Sequence, residues 1–139
     1  MSTGSSSFLR AWCWGVGLFG LVLIGGAFPA TEGPTLALYD LFDGARTPVF
    51  GPEMRFTLGI LGAVTMGWAV TLYAAIKAGA ERGAQGGPIW RLTALGVASW
   101  YVVDSALSIA TGYPLNAVSN TVLAGAFLIP VWRSGVLRG

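Results

Sequence analysis

Four long stretches almost free of charge, residues 8–28, 56–78, 90–110 and 116–132, restrict this chain more than any other feature of its sequence. Crossing the roughly 30 Å of bilayer hydrocarbon takes about 20 apolar residues in a helix, and only helices or closed barrels satisfy every backbone group there. The first three stretches are long enough to span directly. The fourth is shorter and carries Pro130, but Val118 to Val131 holds no charge, so it reads as a span that ends or kinks near that proline. A composition of 54% hydrophobic and 10% charged residues lies outside the range of soluble domains. The expected fold is an all-α integral membrane protein, one four-transmembrane-helix bundle occupying residues 1–139 as a single membrane domain.

Orientation follows from the basic residues, which accumulate on the cytoplasmic side of membranes. Arg10, Lys77, Arg82, Arg91, Arg133 and Arg138 fall at one set of span ends, and only Arg46 and Arg55 at the other. Both termini and the 79–89 loop are therefore expected in the cytoplasm, with the chain in a bacterial-type inner membrane. Arg10 followed by an apolar run ending in Gly25-Gly26-Ala27 is similar to a signal peptide, but the segment is expected to remain as a span. Ser5, Ser6 and Ser7 read as a flexible tail, and Gly79, Gly83, Gly86, Gly87 and Pro88 as a mobile turn.

The outer connection, about 29–54, is too long for an idle loop. Pro34 suits a first helical turn and Gly44 a stop, so residues 34–43 are expected to form a short interfacial helix. Its Ala37, Leu38, Tyr39, Leu41 and Phe42 would share an apolar arc opposite Asp40 and Asp43. Glu53 and Arg55, nearby, read as a surface pair of small energetic worth.

Small residues let helices approach in lipid, where little hydrophobic force draws them together. Gly59, Ala63 and Gly67 recur every four residues along the second span, with Gly15, Gly17 and Gly20 in the first and Ala94 and Ala98 in the third. Such a stripe serves packing within one bundle or a seam to a second copy. No internal repeat suggests inverted halves.

Asp104 is the one ionisable residue deep inside a span. A carboxylate at the bilayer centre costs about 2.5–3.5 kcal/mol on insertion scales, so a partner or a task is expected there. Tyr101, Asp104, Ser105, Ser108 and Thr111 fall on one helical stripe at spacings of three and four. The short Gly112-Tyr113-Pro114-Leu115 turn makes the third and fourth spans antiparallel neighbours, bringing Asn116, Ser119 and Asn120 to the same side. Three roles are open to this constellation: a hydrogen-bonded fastener between helices, with Asn116 acting only as a cap; a proton or cation site in a small transporter or channel; or the polar end of a pocket for a lipid, quinone or pigment, lined by Trp100, Tyr101 and Tyr113.

The chain has no histidine and a single cysteine, Cys13, flanked by Trp12 and Trp14. That removes histidine-ligated haem, histidine-bound zinc, Fe–S clusters, an internal disulfide and a Ser-His-Asp triad, and no cofactor is identifiable. A net charge of +2 without a basic run argues against nucleic acid. Trp12, Trp14, Trp90 and Trp132 fall near span ends and read as interfacial anchors, Trp68 and Trp100 as core residues. In outline the chain is similar to short four-helix bacterial membrane proteins. The expected function is non-catalytic: an accessory or assembly subunit of a larger membrane complex, its partners being membrane lipids and other subunits or copies of itself, with transport through Asp104 as the alternative.

Overall fold

A computed structural model describes residues 3–43 and 48–137. Gly44, Arg46, Arg138 and the side chain of Asp43 lie outside the described residues. Among those described are five α-helices and no strand: α1 Thr3–Gly25, α2 Gly33–Asp43, α3 Pro52–Glu81, α4 Gly87–Ala110 and α5 Pro114–Arg133, with one 3₁₀ turn over Gly83–Gly86. All but α2 are long and apolar enough to cross a membrane. Large apolar side chains such as Trp14, Val70 and Leu92 remain exposed, as a lipid-facing surface requires.

Two compact units divide the chain, Trp14–Val70 on the one hand and Met1–Cys13 with Thr71–Gly139 on the other, and α1 and α3 contribute a part to each.

In the 14–70 unit, α1 and α3 meet backbone to backbone through Gly20 and Gly62. A Cβ on Gly62 would lie 2.5 Å from the Gly20 carbonyl oxygen, and one on Gly20 2.8 Å from that of Gly62. Of the stripe expected to pack, Gly59 approaches Ala27 (3.4 Å from an added Cβ), Ala63 is exposed, and a Cβ on Gly67 would meet nothing within 4 Å. The closest approach thus uses the glycine between those positions, on a different face of α3.

A helix leaves its last carbonyls without partners, and the chain after α1 supplies them. The Gly26 and Ala27 amides donate to Leu23 and Ile24. The Thr35 hydroxyl, fully buried, donates to Val22 O at 2.6 Å, and that of Thr31 to Gly25 O at 2.8 Å. Arg55 closes the series on Gly26 O at 3.4 Å. These bonds fold α2 back over the end of α1, where Leu36 and Tyr39 pack on the buried cluster of Leu23, Phe50 and Leu58. The packed face of α2 is therefore that of Thr35, Leu36 and Tyr39, while Leu41, expected on the apolar arc, stays 66% exposed. Arg55 does not pair with Glu53. It reaches Glu32 Oε2 at 2.7 Å, an ion pair bent out of hydrogen-bond geometry, and lies 5.9 Å from the centroid of Phe50.

In the other unit the serines are no tail: α1 is helical from Thr3 and Ser6 is buried. The first turns of α1 pack on α5, Trp12 donating to Leu123 O at 3.2 Å with its ring 5.2 Å from Phe127. Trp12 and Trp90, expected as anchors, are buried in the protein core, whereas Trp14 and Trp132 are exposed. Trp90 fits because Gly79 has no side chain, an added Cβ there falling 2.9 Å from the indole nitrogen. Two glycines of the 79–89 connection thus serve close packing, Gly86 abutting Gly79, whereas Gly83 serves the turn with a left-handed φ of +52°. Helix α5 continues beyond Pro130 to Arg133, and the backbone of Leu137 then accepts from Arg91 at the start of α4, at 3.2 Å.

Candidate functional site

The site forms where α4 turns into α5. Thr111 closes α4, Gly112 takes φ +89°, its amide donates to Ile109 O, and the Tyr113 amide donates to Ser108 O at 2.8 Å. This is the Schellman pattern, which needs a left-handed residue and therefore favours glycine. Pro114 then opens α5, where its missing N–H is no loss. With the reversal made by so few residues, the first turn of α5 lies beside the last turns of α4.

Asp104 sits six residues before the end of α4, about 9 Å along the axis. Its two carboxylate oxygens each accept hydrogen bonds. Oδ2 accepts from Trp100 Nε1 at 3.0 Å, while Oδ1 accepts from Ser108 Oγ and Asn116 Nδ2, both at 3.1 Å. Asn116 donates a second time, to Ser108 Oγ at 2.8 Å. Two donors come from α4 and one amide from α5, so the carboxylate is also a clasp between helices. Asn116 is not a cap: the N-cap of α5 is Tyr113, without a side-chain cap.

Ser108 Oγ also lies 2.7 Å from the Asp104 carbonyl. A hydroxyl has one proton and two acceptor positions. Ser108 therefore shares one proton between the Asp104 backbone and carboxylate, while accepting from Asn116 and keeping one lone pair. A proton on Oδ1 would donate into that lone pair across the same 3.1 Å, freeing the serine proton for the backbone carbonyl. The heavy-atom arrangement suits either protonation state.

The rest of the stripe is engaged elsewhere. Tyr101 Oη is 3.1 Å from Thr121 Oγ1, and Thr121 donates to Ala117 O at 2.8 Å. Asn120 is buried and its amide points to Ser105 Oγ at 3.5 Å, the long limit of a hydrogen bond. Thr111 returns its hydroxyl to Leu107 O, and Thr65 of α3 bonds Leu61 O of its own helix. Asp104, Ser108 and Asn116 are thus brought together, while Tyr101, Ser105 and Asn120 form separate α4–α5 contacts. From the sequence Trp100 reads as a core residue or as apolar pocket lining rather than as a donor to Asp104, and Thr121 carries no expected role. The signal for Trp100 was available, since it precedes Asp104 by one helical turn and its indole N–H needs an acceptor in lipid.

Fold and site define an all-helical protein with four helices able to cross a membrane and a hydrogen-bonded carboxylate between the last two. Among known proteins, no family model, no curated sequence and no solved structure matches the chain.

Proposed function

We propose that the chain is a non-catalytic four-helix membrane protein acting as an accessory or assembly subunit of a larger membrane complex. In this reading it lies in a bacterial-type inner membrane with both termini cytoplasmic, and α2 rests at the outer interface. The observation that carries it is the use of Asp104: the partly buried acid accepts from Trp100, Ser108 and Asn116 of its own two helices, which supports a role in fastening them. Extensive exposed apolar faces supply surface for lipid and for neighbouring subunits. Gentle purification from the native membrane with partner identification by mass spectrometry tests it. A reproducible hetero-complex is the expected result, and a monodisperse monomer without partners refutes it.

One observation favours a second reading, a proton- or cation-coupled transporter using Asp104. The Ser108 hydroxyl, with one proton between two acceptors at 2.7 and 3.1 Å, supports reversible protonation of the carboxylate without rearrangement. Reconstituted protein would then carry a flux that Asp104→Asn abolishes while the fold persists. Unchanged flux in that variant removes Asp104 as the coupling site.

A further inference from the structure

An open groove of about 470 Å³ lies along α5, bounded by Thr121, Val122, Gly125, Ala126, Ile129 and Pro130 on that helix and by Phe8 of α1. The small residues Gly125 and Ala126 hollow its floor, and a Cβ on Gly125 would stand 3.7 Å from Ile129 Cδ1, an ordinary contact, so a side chain there would enter the groove rather than the core. From Thr121 to Pro130 a helix rises about 14 Å, close to the roughly 15 Å of one bilayer leaflet. Its lining is therefore matched in length and polarity to an acyl chain.

What lies at the end of the groove distinguishes one occupant from another. Val122, Gly125, Ile129 and Arg133 follow one another at spacings of three and four, hence on one face of α5, and Arg133 is one turn beyond Ile129. Arg133 is exposed, in the last turn of the helix, and beside it Trp132 is 67% exposed. An apolar trough one leaflet long that ends at a guanidinium and an interfacial indole complements a lipid with an anionic headgroup.

We propose that this groove binds an anionic phospholipid, an acyl chain lying from Thr121 to Pro130 and the phosphate held at Arg133. The proposal rests on the membrane-spanning reading, although not on the orientation of the chain or on the subunit role. It assigns to Arg133 a specific lipid contact beyond its general part in setting topology.

The test uses the full chain in nanodiscs of equal parts dioleoyl phosphatidylglycerol and dioleoyl phosphatidylcholine, with retained lipid counted by native mass spectrometry after release into detergent. The wild type should retain the glycerol lipid over the choline lipid by about fivefold, the effect of one basic residue near a membrane surface. Arg133→Gln should abolish that preference while the total retained stays the same, and Gly125→Phe should remove most of both lipids. Should Gly125→Phe not fold, Val122→Trp fills the same groove from a position 67% exposed. Equal retention of both lipids by the wild type overturns the proposal, as does a preference unmoved by Arg133→Gln, or a dimer that excludes lipid from the groove. Resistance of the chain to carbonate extraction is measured first: a chain released by carbonate refutes the membrane reading, whereas an integral chain without lipid preference refutes only the groove.

Discussion

Replacing Asn116 by leucine should loosen the α4–α5 hairpin in a way that depends on Asp104. The substitution removes the amide that reaches Asp104 Oδ1 at 3.1 Å and Ser108 Oγ at 2.8 Å, and leaves the carboxylate with Trp100 and Ser108 from its own helix. Interhelical hydrogen bonds in membranes average about 0.6 kcal/mol and reach about 1.7. Two such contacts from one partly buried amide should therefore cost about 1–2 kcal/mol. If the coupling is with Asp104, the double variant Asp104→Leu/Asn116→Leu should lose at least about 0.6 kcal/mol less than the sum of the singles, since neither polar group is then left facing lipid alone. Reversible unfolding in mixed detergent micelles, followed by tryptophan fluorescence, measures all four corners of the cycle, and Trp100 reports directly on the acid it touches. Additivity within about 0.3 kcal/mol would refute the clasp and leave Asn116 as a mere neighbour.

Three further outcomes follow from the 14–70 unit. Gly62→Ala puts a Cβ 2.5 Å from the Gly20 carbonyl and should destabilise by about 1–3 kcal/mol, whereas Gly67→Ala, with nothing within 4 Å, should stabilise by about 0.5–1 kcal/mol; equal effects in thermal unfolding would contradict the helix faces assigned here. Thr35→Val deletes the only side-chain donor described for Val22 O and should cost about 1–3 kcal/mol, seen as faster amide exchange at the end of α1 and through α2. Glu32→Gln weakens an ion pair whose side chains are 22% and 26% exposed, so the loss should stay below about 1 kcal/mol and shrink in high salt; a larger, salt-independent loss would mean that Glu32 has another role.

The positions of the spans were legible because length and hydropathy are properties of local sequence, and the four stretches fall within α1, α3, α4 and α5 apart from a few residues beyond Gly25. Much of the site was legible for a related reason. Helical periodicity aligns Asp104 with Ser108, and a turn as short as 112–115 leaves Asn116 little choice of neighbour. What could not be read were the azimuths: Gly62 rather than Gly67 faces α1, and α2 packs through Thr35, Leu36 and Tyr39 rather than through Leu41. In lipid both sides of a helix are apolar, so hydrophobic patterning does not say which side meets a neighbour. The pairing of Arg55 with Glu32 depends on the fold of the connection between α1 and α3, which no local spacing encodes.

The glycine turn at position 112 also bears on how the chain reaches the membrane. Entering alone, α4 would carry Asp104 into hydrocarbon with only the donors of its own helix, Trp100 and Ser108. The third donor is synthesised twelve residues later, on α5. Were the two helices to enter lipid as one hairpin, acid and amide would arrive together, so it is the shortness of the turn, against the order of synthesis, that would shield the carboxylate.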